Sequence, residues 1–269
     1  MGSKSKFGSE RKEKRLNSIK EIAYKALDTL TPGTGIQKEI GGEKVRFPAR
    51  WSRYYETEYE PETFTFFRHY LKKGDTVLDI GAHIGLFAVV TARLVGSGGK
   101  VYAFEPTPFT RDVLSEVVCL NGLADTVEVR SEAVSASSGE TVFFETGDVI
   151  SNANSLVKTD RSRKEIPVKL ISVDDFIAEK GVKADCLKID VEGVELDVLR
   201  GAKRTFLEHR PVVRLGLHPP FIIQNGQSLV EIWSILEEYR MRIIFDGKSV
   251  EKAWFCSQST LFDVNLLPF

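Results

Sequence analysis

From Lys73 onwards, short apolar runs alternate with longer amphipathic runs along the chain. The run DTVLDIG is typical of a buried strand, GLFAVVTARLVG of a helix that ends at Gly96, and KVYAFEP of a second strand. A helix at TRDVLSEVVCLNG and a third strand at TVEVRSEAVS continue this alternation. Because parallel strands are joined by crossover helices, the order predicts an α/β fold with a mainly parallel sheet.

The alternation is interrupted once and then resumes. Three short strand-like runs, GETVFFETG, NSLVKT and EIPVKLIS, predict a small antiparallel β insertion. Beyond the insertion, we expect further strands of the main sheet at ADCLKID, PVVRLGLH, MRIIFDG and AWFCSQSTLFDV, the last of them at an edge. Helices are expected between them at VDDFIAEKG, VELDVLRGAKRTFLEH and SLVEIWSILEEYR.

The start of the chain has a different composition. Residues 1–20 are rich in Lys and Arg and poor in apolar side chains, which predicts a partly disordered basic arm. Ser18–Leu30 carries apolar residues at helical spacing and predicts a short helix. We therefore divide the chain into an N-terminal extension at 1–45 and one catalytic-type domain at 46–269.

Composition limits the partners and the compartment. Lys and Arg total 37 against 38 for Asp and Glu, so the formal net charge is −1 and no nucleic acid partner is expected. No apolar run reaches the roughly 18 residues that a membrane span needs. The three cysteines, Cys119, Cys186 and Cys256, have no metal or redox spacing, so we expect free thiols and a cytoplasmic protein. The oligomeric state is left open.

The first strand of the alternation ends in a glycine-rich turn, LDIGAHIG. Glycines at such a turn let backbone amides approach a ligand, and ligands of open parallel sheets lie beyond the carboxyl ends of strands. A dinucleotide fingerprint needs a second glycine where His83 stands. The spacing D-x-G-x-x-x-G instead resembles the first motif of class I S-adenosyl-L-methionine-dependent methyltransferases. We predict that the cofactor is bound by Asp79, Gly81, Ala82, His83 and Gly85.

Further cofactor contacts are expected from the next strands and from an aromatic segment. Glu105 ends the second strand, where a carboxylate can accept both ribose hydroxyls; the alternative is an acid that starts a helix. The resemblance places Glu132 and Ala133 near the adenine, although Glu132 could also be a surface residue. WSRYYETEYE is a candidate lid, from which Glu58 is expected to reach the cofactor.

Four motifs occur in a diagnostic order: VLDIGAHIGLF, VYAFEPTP, SVDDF and LKIDVEGVELDVLRGA. From Trp51 to Phe245 the chain therefore resembles the FkbM family of methyltransferases. The resemblance implies a Rossmann-like, seven-stranded, mostly parallel sheet with helices on both faces. It also implies S-adenosylmethionine as the cofactor and O-methylation of a hydroxyl on a small-molecule or glycan acceptor, such as a sugar or a natural product.

Candidate catalytic residues follow the later strands at the ligand edge of the sheet. Asp190 is the leading candidate for positioning the acceptor or for the base, with a helix cap as the alternative. His218 is a candidate base, and Glu192 could bind a ligand or first-turn amides. Glu195 is expected on the helix surface, either solvated or in a salt bridge. Asp190 and His218 could share a divalent ion, but two ligands do not define a site, so no metal is predicted.

Two departures from the family pattern keep alternatives open. His83 stands where the family commonly has Asn, which could make cofactor binding sensitive to pH. Gly216 stands where an acid often precedes the histidine by two residues, so that acid is lost or relocated. A catalytically silent cofactor-binding module is therefore one alternative, and a dinucleotide oxidoreductase, which would want a Tyr-x-x-x-Lys pair, is a weaker one. HPPF after the fifth strand is an imperfect match to the motif of nucleic acid amino-methyltransferases.

Overall fold

The computed structural model describes residues 23–24, 26–30, 33–146, 155–158, 160 and 162–269. Within them, the strands are β1 Ile36–Ile40, β2 Glu43–Phe47, β3 Thr76–Ile80, β4 Lys100–Phe104, β5 Val127–Arg130, β6 Ala133–Val134, β7 Gly139–Glu145, β8 Lys164–Ile171, β9 Cys186–Ile189, β10 Val212–Leu217, β11 Met241–Phe245, β12 Lys248–Ser249 and β13 Phe262–Pro268. The helices are α1 Pro61–Tyr70, α2 Leu86–Val95, α3 Pro108–Leu120, α4 Val173–Lys180, α5 Glu195–Arg200, α6 Lys203–Glu208, α7 Pro219–Gln224, α8 Leu229–Glu238 and α9 Lys252–Cys256.

The described residues form a central sheet of eight strands in the order β12-β11-β13-β10-β9-β3-β4-β5. The strands from β10 to β5 pair in parallel, while β13, β11 and β12 pair antiparallel. The predicted α/β fold with a mostly parallel sheet is therefore confirmed. The strand beyond the predicted seven is β12, which has only two residues.

The prediction of a C-terminal edge strand was wrong. The residues AWFC belong to α9, and β13 lies between β10 and β11 in the interior of the sheet. Its Val264 and Leu266 are fully buried, which an edge position would not achieve. A strand that pairs antiparallel with its neighbours, as β13 does, needs no crossover helix. The chain can therefore place β13 directly between two strands that come earlier in the sequence.

The order of the strands creates a switch point between β3 and β9. From β3 the chain runs outward through β4 to β5, and it then returns to the other side of β3 to form β9. At such a point two neighbouring connections leave the sheet in opposite directions and open a crevice at the carboxyl ends of the strands. The glycine-rich turn after β3 and Asp190 after β9 therefore meet there.

Apolar side chains cover both faces of the sheet. One cluster joins Val77 and Val101 of the sheet to α1, α2 and α3, and it includes Phe64, Ala88 and Leu114. The other cluster lies under α4, α5, α6, α8 and α9. Pro61 and Pro108 occupy first-turn positions of α1 and α3, where a missing N–H costs nothing, and Gly96 ends α2 as predicted.

Two of the predicted insertion strands, GETVFFETG and EIPVKLIS, form a separate small sheet, whereas NSLVKT contributes only a bridge between Ser155 and Phe144 among its described residues. β7 pairs antiparallel with β8, and β6 pairs parallel with the other edge of β8. Phe143 of β7 and Ile166 of β8 lie opposite each other and are buried in a small cluster of their own. The insertion thus adds a wall beside the carboxyl ends of β4 and β5.

The N-terminal extension is described only in part. Residues 23–24 and 26–30 are helical, in agreement with the second half of the predicted helix, while the predicted basic arm at 1–20 lies outside the described residues. β1 and β2 form a hairpin whose Ile40, Val45 and Phe47 are buried against the α1–α3 face. The hairpin crosses residue 45, and the division of the chain at that residue stays a prediction. Every described helix falls short of the length or hydrophobicity that a membrane span requires.

Candidate active site

A cavity of about 220 Å³ opens at the switch point. Its lining combines the turn after β3, the end of β4, the segment before α1, the β insertion, and the residues that follow β9 and β10. Most of the predicted site residues line it: Gly81, Ala82, His83, Glu105, Glu132, Ala133, Asp190, Glu192 and His218. Asp79, Gly85 and Glu58 do not.

The glycine turn is fixed by close contact with the residue that follows β9. Gly81 has a φ of +83°, and a Cβ built on it would lie 1.9 Å from the carbonyl oxygen of Asp190. No side chain fits there, which leaves the backbone of Gly81 and Ala82 as the cavity floor. Gly85 lies behind this floor, where it begins α2 at a φ of +89° and a Cβ would meet Leu114 at 2.5 Å.

Asp79 is buried beneath the turn. Its side chain is 1% exposed, and within the described part of the chain neither carboxylate oxygen has a partner at hydrogen-bond distance. The Lys188 ammonium lies 3.8 Å from Asp79 Oδ1. Burial raises the pKa of Asp79 to about 6, although the charge of Lys188 opposes the rise. Asp79 does not line the cavity, and Lys188 lies between its carboxylate and that of Asp190.

Glu105 is held in place by two backbone amides. Glu105 Oε2 accepts a hydrogen bond from the His83 amide at 3.1 Å, and Oε1 accepts one from the Thr107 amide at 2.9 Å. Each oxygen keeps a lone pair for a ligand hydroxyl. Burial raises the pKa of Glu105, which these amides oppose. Glu132 lines the same end of the cavity, and Arg130 pairs with its carboxylate.

Aromatic side chains from the segment before α1 form one wall. Tyr54, Tyr55 and Tyr59 line the cavity, and the Tyr55 hydroxyl lies 3.2 Å from His83 Nδ1. Burial lowers the pKa of His83 to about 4, so the imidazole is neutral at physiological pH. The candidate lid therefore reaches the cavity through its tyrosines and Glu60, whereas Glu58 is exposed.

Three predicted catalytic residues meet in the cavity. His218 Nε2 lies 3.6 Å from Asp190 Oδ1 and 3.4 Å from Glu192 Oε2. On its other side, His218 Nδ1 lies 2.7 Å from Glu195 Oε1. Glu195 is 0% exposed, so its predicted place on the helix surface was wrong, whereas its contact with His218 agrees with the predicted salt bridge.

The helix-cap alternatives for Asp190 and Glu192 do not hold in the structure. Val194 is the N-cap of α5, and no side chain caps that helix. Asp190 Oδ2 instead accepts a hydrogen bond from Lys188 at 3.2 Å. Glu192 has a φ of +54°, and its carbonyl accepts a hydrogen bond from Ser155 Oγ at 2.7 Å.

The charges of this cluster are strongly coupled. Burial alone would lower the pKa of His218, but hydrogen bonds and charge from Glu192 and Glu195 raise it to about 10. Burial would raise the pKa of Asp190, but Lys188 and His218 bring it below its ordinary value. Burial raises the pKa of Glu192, which His218 opposes. The site thus balances buried carboxylates against one ammonium and one imidazole.

Lys188 and Asp263 are among the cavity residues that could not be singled out from the sequence. Lys188 lies in the buried strand β9, yet its ammonium contacts Asp190 Oδ2 and the Gly81 carbonyl oxygen at 3.2 and 3.3 Å. Asp263 pairs with Gly216 across β10 and β13, and a Cβ at Gly216 would lie 3.1 Å from Asp263 Oδ1. Asp263 therefore places a carboxylate beside the position where the family pattern has its acid.

With this geometry in place, the comparison with known proteins is specific. Residues 79–243 match the family model of the methyltransferase FkbM domain, which is more than half of the chain. The fold and the site define a Rossmann-like nucleotide-cofactor protein of the methyltransferase class. The chain belongs to the FkbM methyltransferase family, whose cofactor is S-adenosylmethionine.

Named relatives share part of their length with this chain. It is 30% identical over 169 residues to the hexuronic acid methyltransferase AglP of Haloferax volcanii, which covers 61% of this chain and 66% of that protein. It is 28% identical over 160 residues to the 31-O-demethyl-FK506 methyltransferase FkbM of Streptomyces tacrolimicus, covering 49% and 61%. Each match spans less than two thirds of the relative's own length.

Solved structures include distant matches. A methyltransferase FkbM from Methylobacillus flagellatus aligns with a TM-score of 0.45 and 15% identity, over 77% of this chain and 51% of that one. An O-methyltransferase from Thermotoga maritima aligns with a TM-score of 0.46 and 15% identity, over 88% and 78%.

The residues present fit the family's cofactor. The turn at Gly81 leaves no room for a side chain, and the Glu105 carboxylate is buried at the cavity wall with free lone pairs. Glu105 would suit the hydroxyls of a ribose, and the apolar wall at Ala133 and Phe104 would suit an adenine. Asp79, Lys188 and Asp190 surround the turn with charges of both signs, as an amino acid tail requires.

Proposed function

We propose that the chain transfers the methyl group of S-adenosylmethionine to a hydroxyl oxygen of a sugar, glycan or small natural product. The observation that carries the proposal is that one cavity joins two kinds of residue. The glycine turn and Glu105 line this cavity, and so do Asp190, Glu192 and His218. The cytoplasmic location and the absence of a nucleic acid partner remain predictions.

The roles of the residues follow from their places in the cavity. Gly81, Ala82, His83, Glu105 and Ala133 hold the cofactor, with Gly85 and Asp79 supporting them from behind. The cofactor supplies a methyl group activated by a positively charged sulfur. Glu58 is replaced in this proposal by Glu60, which lines the cavity.

The acceptor hydroxyl lies at the cluster of Asp190, Glu192 and His218. When bound, the cofactor would supply its methyl group to the hydroxyl oxygen and would leave as a neutral thioether, and the hydroxyl proton would pass to the carboxylate of Asp190 or Glu192. Because the donor is already activated, alignment of the hydroxyl contributes most of the rate. Asp190 and Glu192 align the hydroxyl by accepting its hydrogen bond, and Glu195 fixes the orientation of His218 through the 2.7 Å contact.

Two relatives support a hydroxyl acceptor, because one is a hexuronic acid methyltransferase and the other a 31-O-demethyl-FK506 methyltransferase. The experiment first measures binding of S-adenosylmethionine and NAD by calorimetry. It then measures transfer of a labelled methyl group to a panel of uronic acids, sugars and macrolide alcohols. Preference for NAD would overturn the cofactor assignment. Cofactor binding without transfer to any acceptor would favour the catalytically silent module instead.

A further inference from the structure

Three potential ligand atoms converge at the acceptor end of the cavity. Asp190, Glu192 and His218 each offer one atom, and these atoms lie within 4.8 Å of one another. The His218 Nε2 distances of 3.4 and 3.6 Å exceed the roughly 2.7–2.9 Å of a charge-assisted hydrogen bond. Neighbouring ligands around a cation with bonds near 2.1 Å lie about 3.0 to 4.2 Å apart. Both His218 distances fall in this range and exceed those of strong hydrogen bonds, so they are compatible with a shared cation.

The outer atoms of two ligands are already held by the protein. His218 is 5% exposed, and its Nδ1 is bound to Glu195, which leaves Nε2 directed at Asp190 and Glu192. A carboxylate on the far nitrogen is the usual way in which a protein orients a metal-binding histidine. Lys188 holds Asp190 Oδ2, so Asp190 Oδ1 is the atom that faces His218.

The charge of the cluster also favours a cation. Asp190, Glu192 and Glu195 carry three negative charges, and Lys188 is the ammonium that contacts them, through Asp190. When a divalent ion takes the place of the proton on His218 Nε2, the three carboxylates and Lys188 contribute a net charge of −2. A divalent ion balances this charge while His218 Nε2 donates its lone pair. Buried charges of this kind are costly unless they are paired or bound to a metal.

We infer that Asp190, Glu192 and His218 bind one divalent transition cation of the Mn²⁺ type at the acceptor end of the cavity. One imidazole with two carboxylates selects such an ion over Mg²⁺ or Ca²⁺, which prefer oxygen ligands throughout. About three of the six positions of an octahedral ion stay open for water or for a substrate hydroxyl. The inference rests on the proposed function only for the purpose of the ion, which is to help a bound hydroxyl lose its proton.

The test uses the full-length protein, stripped with EDTA, desalted and titrated with Mn²⁺. Calorimetry and electron paramagnetic resonance are expected to show one saturable Mn²⁺ per chain, with weaker binding of Mg²⁺. Glu192→Gln removes a ligand and is expected to weaken Mn²⁺ binding by more than about 100-fold. Glu195→Gln touches no ion, yet loss of the orienting carboxylate is expected to weaken binding about 10- to 100-fold.

The control is Glu58→Gln, the same substitution at an exposed residue outside the cavity lining, and it is expected to bind Mn²⁺ like the wild type. Circular dichroism melts of all variants separate loss of the site from loss of the fold. Absence of saturable Mn²⁺ binding in the wild type, or equal affinity in Glu192→Gln, overturns the inference. Mn²⁺ binding without S-adenosylmethionine binding supports the cation site and overturns the proposed function. Methyl transfer without Mn²⁺ binding supports the proposed function and overturns the cation site.

Discussion

The buried carboxylate of Asp79 should make the stability of the protein depend on pH in a defined way. Burial raises its pKa from the ordinary value of 3.8 to about 6, so the folded protein keeps a proton that the unfolded chain has lost. The free energy of unfolding therefore falls as the pH rises from 3.8 through about 6. At roughly 1.36 kcal/mol per pH unit, ionised Asp79 costs the folded state about 3 kcal/mol.

Asp79→Asn removes this cost because the amide stays neutral at every pH. We expect the free energy of unfolding of the variant, relative to the wild type, to rise with pH, and about 2 of the 3 kcal/mol to develop between about pH 4.5 and pH 8. Urea denaturation at both pH values and at pH 6 measures it. Taking the difference between the two proteins cancels the titration of all other groups.

A matched control is Asp125→Asn, the same substitution at an exposed position. A difference between Asp79→Asn and wild type that stays constant within about 0.5 kcal/mol over the pH range would refute the reasoning. It would mean that the attraction of the Lys188 ammonium, 3.8 Å from Asp79 Oδ1, fully offsets the free-energy cost of burying the ionised Asp79 carboxylate.

Three further outcomes are expected. Glu105→Ala should weaken S-adenosylmethionine binding about 10- to 100-fold, because hydrogen bonds to a charged group contribute about 1.5–3 kcal/mol; calorimetry measures it, and unchanged affinity would exclude the ribose role. Gly81→Ala should lower the free energy of unfolding by more than about 3 kcal/mol in urea denaturation, because its Cβ would lie 1.9 Å from the Asp190 carbonyl oxygen. The control Gly122→Ala has open space around its Cβ and a φ of +68°, so it should cost only about 1–2 kcal/mol. If both variants lose the same free energy of unfolding, the backbone of the glycine turn can move to make room for the added Cβ. Asp263→Asn should slow methyl transfer at least about 10-fold with cofactor affinity unchanged, and a normal rate would show that this carboxylate does not replace the missing acid.

The parts of the fold that could be predicted from the sequence are those that are encoded locally. The apolar strand runs, Pro108 at the start of α3 and Gly96 at the end of α2 act within a few residues of themselves. The place of β13 could not be predicted in the same way. It depends on pairing between residues far apart in the chain, such as Gly216 and Asp263, and periodicity carries no information on which strands become neighbours.

The residues of the candidate site also fall into those encoded locally and those placed by the order of the strands. The glycine turn and Glu105 belong to compact motifs whose spacing fixes their geometry, so they could be placed from the sequence. Lys188 and Asp263 reach the cavity from strands, and only the sheet order shows that they do. One signal for Lys188 was present, because a single Lys between Leu187 and Ile189 interrupts a strand that is otherwise buried on both faces.

Glu195 shows how a short backbone feature changes the meaning of a motif. Three carboxylates within six residues look alike in sequence, and helical spacing alone places Glu195 on the surface. However, Glu192 and Gly193 have φ values of +54° and +103°, which turn the chain before α5 begins. The turn brings the Gly193 amide within 3.0 Å of Glu195 Oε1 and directs that carboxylate to His218. Asp190 and Glu192 therefore face the cavity, while Glu195 acts behind them by holding the imidazole. A buried carboxylate without partners costs free energy, and His218 is one of the partners of Glu195. Movement of the imidazole away from Glu195 would therefore destabilise the fold.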